Sequence, residues 1–411
     1  MSSARTLLRD RRLALLVAGQ AANAIGSWCA LVAVWGYASF HFHASASDLA
    51  LLGVSWALPM VLLGPVAGIP VDRFGPKRVL VVADSIAAGV TLLFILAGSF
   101  EVLLLLGAIE GCTKAFAEPA FQSLPPRLVD DEHLAAANGL LGMAFQSAIA
   151  LGPLLAAGSI GAFGFSGAFV VNSLTYLIGV GVLLPFHLGA AAPSAKTEPS
   201  RLRDEMREGF AVVAARPSLR RGLALATSVY LIWGAFIVIE PIYVRSVLHG
   251  TPTMFAYLQA TFGIALVGSG LFVTGLGDRA AKWWVVSAAA MGSGLGAAIY
   301  VGSRQLVIAY VGISIWGIAT AFLLAPLRTL VQRASPIETH GRVFALDGML
   351  HNSADLVALT VVALAAGAWG VQSAALGMAL VPVTGGILML GAIRRGRMPI
   401  DPDPRLEPAA A

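Results

Sequence analysis

The chain has 411 residues and a formal net charge of +5, and 57% of its residues are hydrophobic while 12% are charged. Soluble domains carry about 25% charged residues, so this composition excludes a water-soluble globule. The positive charges separate apolar runs instead of forming one basic patch, which favours a lipid bilayer and argues against nucleic acid as a partner.

Twelve apolar runs follow in chain order, and each is long enough to cross a bilayer as a helix of about 20 residues. Their interior glycines and prolines do not oppose this assignment, because membrane helices tolerate both. The predicted spans are Leu13–Phe40, Asp48–Val71, Val79–Ser99, Val102–Leu124, Leu134–Ile160, Gly164–Leu188, Gly222–Val247, Met254–Gly275, Trp283–Val301, Gln305–Val331, Val343–Gly367 and Val371–Ile393.

Short motifs recur along the chain at an offset of 206 to 209 positions. The pairs are Arg11-Arg12 with Arg220-Arg221, Asp72-Arg73 with Asp278-Arg279, Glu118-Pro119 with Ala325-Pro326, and Asn138-Gly139 with Asp347-Gly348. Four matches at nearly one offset indicate two repeated halves. The predicted fold class is therefore an all-α integral membrane protein with twelve transmembrane helices in two pseudo-symmetric six-helix halves.

Four parts make up the predicted domain organisation. Residues 1–188 form an N-terminal six-helix bundle, 189–221 a cytoplasmic linker, 222–397 a C-terminal six-helix bundle and 398–411 a disordered tail. The linker begins with a Pro-rich stretch, Ala190–Pro199, and continues as a charged amphipathic stretch, Arg201–Arg216. This second stretch predicts a helix that lies on the inner membrane surface or is simply solvated.

Loop charges predict the orientation, since cytoplasmic loops carry an excess of Lys and Arg. On one side of the predicted membrane, the loops and span ends carry only Arg245 and Arg304. The other side holds the central-loop cluster together with Arg5, Arg9, Arg11, Arg12, Arg73, Lys77, Arg78, Arg127, Arg279, Lys282, Arg328, Arg333, Arg342, Arg394, Arg395 and Arg397. Both termini are therefore predicted to be cytoplasmic.

The loop between the second and third spans, Gly68–Arg78, reads G-I-P-V-D-R-F-G-P-K-R. Gly68 is small enough to let a neighbouring helix approach, and Asp72-Arg73 breaks the apolar run. Gly75 and the proline after it predict a tight turn, and Lys77-Arg78 begins the next span. This spacing resembles the G-x-x-x-D-R-x-G-R/K-R/K motif of the major facilitator superfamily of secondary transporters.

Further residues resemble the drug-exporter branch of that family, which includes macrolide and enterobactin exporters. They are Gly19-Gln20, Asn23 to Gly26, Ala83-Asp84, Pro119-Ala120, Asn138, Gly152-Pro153, Asn172-Ser173-Leu174, Glu208-Gly209-Phe210 and Arg216-Pro217. The resemblance implies an inner-membrane proton-driven antiporter that exports small molecules. We also predict alternating access, a monomer and no cofactor besides the proton gradient. The resemblance also implies a cavity lined by the first, fourth, seventh and tenth spans, and a gating role for Asp72. The antiporter signature of the fifth helix is reduced here to Gly152-Pro153.

Three charges on the fourth span, Glu110, Lys114 and Glu118, are spaced four apart and share one helix face. An ionisable group at mid-membrane costs about 2.5–3.5 kcal/mol, so each charge needs an explanation. One interpretation is an internal ion pair that locks helix packing. The other is a protonatable or charge-binding element facing a water-filled cavity.

The eleventh span repeats this spacing with Asp347, His351 and Asp355. A histidine between two carboxylates can relay protons, or it can belong to a hydrogen-bonded network between helices. A metal site is not expected, because no further His or Cys cluster accompanies the three residues. Glu240, near the outer end of the seventh span, is interpreted as capping a cavity mouth, and Asp84 as pairing with loop arginines.

The predicted function is proton-coupled export of amphipathic molecules. The alternative is an uptake symporter or facilitator for an anionic or zwitterionic solute, with Lys114 as its counter-ion. An enzyme is not expected, because no nucleophile–base pair, metal motif or phosphate loop is present in the sequence.

Overall fold

A computed structural model describes residues 11–185 and 199–398, and within those ranges the regular elements are helices and no β-strand. Arg5, Arg9, linker residues 189–198 and tail residues 399–411 lie outside the described residues. The α-helices are α1 Arg11–Phe40, α2 Ala46–Phe74, α3 Pro76–Leu93, α4 Phe100–Gln122, α5 Asp131–Leu183, α6 Pro199–Ala215, α7 Pro217–Ser246, α8 Pro252–Leu276, α9 Trp283–Gly302, α10 Leu306–Ala334, α11 His340–Trp369 and α12 Val371–Arg394. Short 3₁₀ turns occur at Phe94–Leu96, Pro125–Arg127, Gly277–Arg279 and Ile337–Thr339.

The membrane spans follow from helix length and composition. Among the described residues, ten helices are long and apolar enough to cross a membrane. One of them, α5, is non-helical at Gly164, where φ is 68° and ψ is −169°, and this break divides it into two spans. The charged α4 is not among the ten, yet its 23 residues also reach across a hydrocarbon core of about 30 Å. The twelve predicted spans are thereby confirmed, including the boundary at Gly164.

The chain separates into two compact units. The first contains Met1–Ala195 and Gly250–Ala260, and the second contains Lys196–His249 and Thr261–Ala411. Within the first unit, α1 packs along α5, α2 along α4, and α3 against both α4 and α5. Within the second unit, α9 packs on α10 and α12, while α7 packs on α11 and α12.

The linker helix α6 is packed on the second unit. The Glu208 carboxylate forms an ion pair with Arg342 of α11 at 2.8 Å. Arg216, directly after α6, donates a hydrogen bond to the carbonyl of Ala334 at 3.0 Å, and Val213 is buried in the core of this unit. These contacts attach the linker helix to α10 and α11, which the sequence did not predict, and a position of α6 at the membrane surface stays a prediction.

Local geometry repeats between the halves at a constant offset of 206 positions. His43 and His249 both have a positive φ, of 52° and 50°. The hydroxyl of Ser45 accepts a hydrogen bond from the Asp48 amide at 3.2 Å, and that of Thr251 accepts one from the Met254 amide at 3.2 Å. The Tyr37 hydroxyl donates to the Ala97 carbonyl, and the Tyr243 hydroxyl donates to the Ser303 carbonyl. These pairs extend the sequence repeat to backbone conformation and hydrogen bonding.

Two glycines at the same offset join adjacent spans. Gly164 interrupts α5 with φ 68°, and Gly370 separates α11 from α12 with φ 83° and ψ 159°. This conformation is essentially restricted to glycine, and another residue pays about 1–3 kcal/mol to adopt it.

We expect Gly164→Ala and Gly370→Ala each to destabilise the protein by about 1–2 kcal/mol, because alanine is strained at positive φ. The measurement is the apparent Tm of the detergent-solubilised chain. Gly158→Ala is the matched control, since this helical glycine of α5 has open space where a Cβ would lie. An equal Tm for all three variants would contradict the expectation.

Candidate functional site

A cavity of about 270 Å³ lies inside the first unit and is lined by α1 to α5. Ligand pockets commonly measure about 300–1,000 Å³, so this cavity can hold a small organic group. Polar and apolar side chains share its wall: Gln20, Asn23, Ala24, Ser27, Trp28, Leu31, Met60, Leu80, Asp84, Ala87, Thr113, Lys114, Ala117, Glu118, Phe121, Phe145 and Tyr176.

Glu110 lies beside this wall and is only 1% exposed. The Tyr176 hydroxyl donates a hydrogen bond to its Oε1 at 3.3 Å. Its Oε2 is buried and forms no hydrogen bond of standard geometry in the described part of the chain, but the Trp56 side chain and the Lys114 ammonium both interact with the carboxylate. Glu110 is therefore a desolvated carboxyl group with Tyr176, Trp56 and Lys114 as neighbours.

Lys114 and Glu118 line the cavity but do not form the ion pairs expected from their spacing. No carboxylate of the described residues lies within 4.0 Å of the Lys114 ammonium. The ammonium lies over the ring of Trp56, 5.2 Å from the centroid, which is a cation–π distance. The exposed Glu118 accepts a hydrogen bond from Gln122 at 2.7 Å. The observed geometry thus differs from the ion pair that would lock helix packing.

Asp84 lies elsewhere than expected from the sequence. It is 3% exposed, lies on α3 and lines the cavity. The Asn23 amide of α1 contacts its Oδ2 at 3.5 Å, and no arginine of the described residues forms an ion pair with it. No arginine of the described ranges makes the predicted pairing with Asp84, because the side chain is turned into the helix bundle.

The three ionisable residues of α11 contact α7 in the second unit. The Tyr230 hydroxyl of α7 lies 3.3 Å from both carboxylate oxygens of Asp347. His351 Nε2 lies 3.5 Å from Asp355 Oδ2, and the His351 ring contacts the Tyr230 ring with 4.2 Å between centroids and 35° between the ring planes. Among the described residues, no group of three or more His, Cys, Asp and Glu is arranged to hold a metal ion. This arrangement is a polar network that joins α7 to α11.

Glu240 is 2% exposed and accepts a hydrogen bond from the Tyr300 hydroxyl of α9 at 2.7 Å. Its position differs from the expected cap of a cavity mouth, because the carboxylate is packed between two helices of the second unit. Here the polar side chain joins α7 to α9.

The loop Gly68–Arg78 ends α2 and begins α3. Gly75, with φ 84°, ends one helix, and Pro76 takes the first position of the next. Gly68 is exposed, and an added Cβ would meet no atom within 4 Å, so the expected close helix approach is not present here.

The charges of this loop differ in their contacts. Asp72 is exposed and has no ion pair with a described residue, whereas Asp278, its counterpart in the repeat, pairs with Arg333. The exposed guanidinium of Arg73 lies 5.3 Å from the Phe74 ring centroid. Lys77 donates a hydrogen bond to the Leu184 carbonyl at 2.5 Å, while Arg78 is exposed.

The Gly152-Pro153 pair lies where α5 packs against α1. A Cβ on Gly152 would lie 2.3 Å from the Trp28 Cβ and 2.9 Å from the Ile25 carbonyl oxygen. The two helix backbones can approach this closely only because residue 152 has no side chain. Gly152 therefore sets the position of Trp28 in the cavity wall.

Several contacting residues were missed by sequence reasoning. Tyr176 and Tyr230 carry the hydroxyl groups that contact the carboxylates of Glu110 and Asp347. Aromatic residues are common throughout membrane helices, so the sequence gave no signal for these two tyrosines. Trp56, which contacts the Lys114 ammonium, is one of the tryptophans that the sequence offers either as lining of an apolar pocket or as ordinary packing residues. Asp84 did carry a signal, since it is an ionisable residue inside an apolar run.

Twelve spans in two six-helix halves, with charged groups inside the membrane, define a polytopic membrane transporter. Residues 16–358 match the Major Facilitator Superfamily, and the chain belongs to that family. It is a multi-pass secondary transporter and not an enzyme.

Individual relatives are distant. The uncharacterized MFS-type transporter YfiS of Bacillus subtilis (strain 168) is 25% identical over 398 residues, covering 94% of this chain and 93% of that protein. Macrolide efflux protein A of Streptococcus pyogenes is 27% identical over 370 residues, covering 86% and 89%. A solved bacterial homologue of the human lysosomal transporter Spinster has a TM-score of 0.72 at 15% identity, covering 94% and 97%. The structural likeness confirms the fold.

Proposed function

We propose that this protein exports small amphipathic molecules across a bacterial-type inner membrane by proton antiport and alternating access. The observation that carries the proposal is Glu110, a buried carboxyl group that forms no ion pair among the described residues and lies beside a cavity that is partly aromatic. The similarity to macrolide efflux protein A supports export as the direction of transport. The chain acts as a monomer with both termini in the cytoplasm.

Proton coupling requires a group that gains and loses a proton as its surroundings change. A buried charge is costly, and its cost depends strongly on water and neighbouring charges. Glu110 has no cationic partner within 4.0 Å in the described structure, so opening of the cavity would change its surroundings directly. The network of Asp347, His351 and Asp355 is a second group that can exchange protons.

The cavity wall favours an amphipathic substrate. Trp28, Phe121 and Phe145 offer aromatic faces, while Asp84 and Lys114 offer charges of both signs. Ligand sites typically combine an apolar lining with a few polar groups that fix orientation. Glu118 lies at the same wall, and the loop from Gly68 to Arg78 acts as the gate.

The experiment is efflux from reconstituted vesicles that contain the purified full chain. A panel of macrolides and lipophilic cations is loaded, and efflux is followed with and without an imposed pH gradient. We expect efflux only with the gradient. Flux of no compound from vesicles with folded protein would overturn export, and equal flux without the gradient would overturn coupling.

A second candidate function is uptake of an anionic or zwitterionic solute. It is favoured by Lys114, whose ammonium lines the cavity and has no carboxylate within 4.0 Å among the described residues. Lys114→Ala separates the two candidates. It would abolish transport of an anion that binds the ammonium, whereas export of an uncharged or cationic compound would continue.

A further inference from the structure

We propose that Asp84 binds a positively charged organic group, such as a substituted ammonium, in the cavity of the first unit. The inference rests on the proposed export function and deepens it, because it assigns a charge to the exported molecule. Neither the loop Gly68–Arg78 nor Glu110 determines whether the exported molecule carries a charge.

Asp84 is an acceptor whose charge is not neutralised by the protein. It is almost completely buried, lines the cavity and has the Asn23 amide at 3.5 Å. Ser27 donates to Asn23 Oδ1 at 3.4 Å, so the amide nitrogen of Asn23 is directed at the carboxylate. No Lys, Arg or His of the described residues lies within 4.0 Å of Asp84. The charge of a buried carboxylate is costly unless it is paired, so a cation that enters the cavity would favour the ionised form of Asp84 and pair with it.

The cation already present in the cavity wall is held elsewhere. The Lys114 ammonium lies over Trp56, a residue that is not part of the cavity wall. The ammonium makes this cation–π contact and forms no ion pair with Asp84, although both residues line the cavity. The protein therefore leaves the Asp84 carboxylate available to a ligand.

The remaining wall suits an organic cation better than a metal ion. Trp28, Phe121 and Phe145 present aromatic rings, and Met60 presents a thioether. Aromatic faces attract ammonium groups and bury the apolar part of the same molecule. A small metal ion would instead need several oxygen ligands around one point.

The test is equilibrium binding of two ions of nearly equal size and shape to the purified full chain in detergent. The probes are phenyltrimethylammonium, a permanent cation, and benzenesulfonate, an anion that carries a tetrahedral charged group on the same ring. We expect the wild type to bind the cation at least about tenfold more tightly than the anion. Asp84→Asn should weaken binding of the cation by about tenfold and should not weaken binding of the anion.

Two further variants make the result specific. Asp130→Asn is the matched control, because Asp130 is exposed and makes no side-chain cap hydrogen bond at the start of α5. Asp84→Glu keeps the charge and should keep the preference for the cation. If Asp84→Asn fails to fold, the inference is still tested by Asp84→Glu and by the binding of the two ions to the wild type.

Equal binding of the two ions by the wild type, or unchanged cation binding in Asp84→Asn, would overturn the inference. The test needs no pH gradient, so its outcome is distinct from that of the efflux experiment. A cation preference without gradient-driven efflux would leave Asp84 as a binding residue and remove proton export. Gradient-driven efflux without a cation preference would support proton-coupled export and would exclude Asp84 as a cation-binding residue.

Discussion

Replacing Glu110 with glutamine is expected to reduce pH-gradient-driven efflux at least about tenfold, as loss of an essential proton-transfer group does. Glutamine has nearly the same shape and can still accept the hydrogen bond from Tyr176. The glutamine amide cannot gain or lose a proton at the pH values of the efflux experiment. The helix packing should therefore survive, while the link between proton movement and substrate movement is lost.

The measurement is initial efflux rate against the size of the pH gradient, with substrate binding determined on the same preparation. Glu101→Gln is the matched control, because Glu101 is exposed and lies in the first turn of the same helix. Coupled efflux at the wild-type rate in Glu110→Gln would exclude Glu110 as the coupling residue and direct attention to Asp347, His351 and Asp355.

Replacing Gly312 with valine is expected to destabilise the second unit by about 3 kcal/mol or more. Gly312 of α10 faces α9, and an added Cβ would lie 2.3 Å from the Tyr300 backbone nitrogen and 2.7 Å from its Cα. Backbone atoms of a packed helix cannot rotate away as a side chain can. The two helices would have to separate, and the packing of Tyr300 against Glu240 would be disturbed with them.

The apparent Tm in detergent should fall by about 5–10 °C for this variant. Gly268→Val on α8 introduces the same side chain where the structure has nothing within 4 Å, so its Tm should remain near that of the wild type. A wild-type Tm for Gly312→Val would show that α9 and α10 are not held as closely as the structure describes.

Hydropathy was sufficient to predict the fold, because membrane helices must satisfy their backbone within each span. It placed a boundary at Gly164, where the structure breaks α5. Composition alone does not identify α4 as a span, since Glu110, Lys114 and Glu118 interrupt its apolar character. The predicted span Val102–Leu124 rests on the length of the run and on the apolar residues between these charges.

The sequence alone did not predict which side chains contact each other. Spacing correctly places Glu110 and Lys114 on neighbouring turns, but the choice between a carboxylate and the Trp56 ring depends on how α2 packs against α4. Asp84 lies near a basic loop in sequence, yet the rotation of α3 turns it inward. Such choices depend on contacts between helices, which one-dimensional periodicity does not encode.

The constant offset of local geometry between the halves has an evolutionary meaning. Turns, caps and tyrosine anchors are present in both halves at the offset of 206, but the ionisable residues are not: at this offset Glu110 corresponds to Trp316, Asp84 to Ala290 and the half-buried Asp355 to Ile149. At the offsets of 207 and 209 of the neighbouring sequence motifs, Glu110 corresponds to Gly317 and Asp355 to Gln146, which are also uncharged. The two halves thus inherited one backbone from a common ancestor. Each of these charges was gained, or lost, in a single descendant after the halves had diverged.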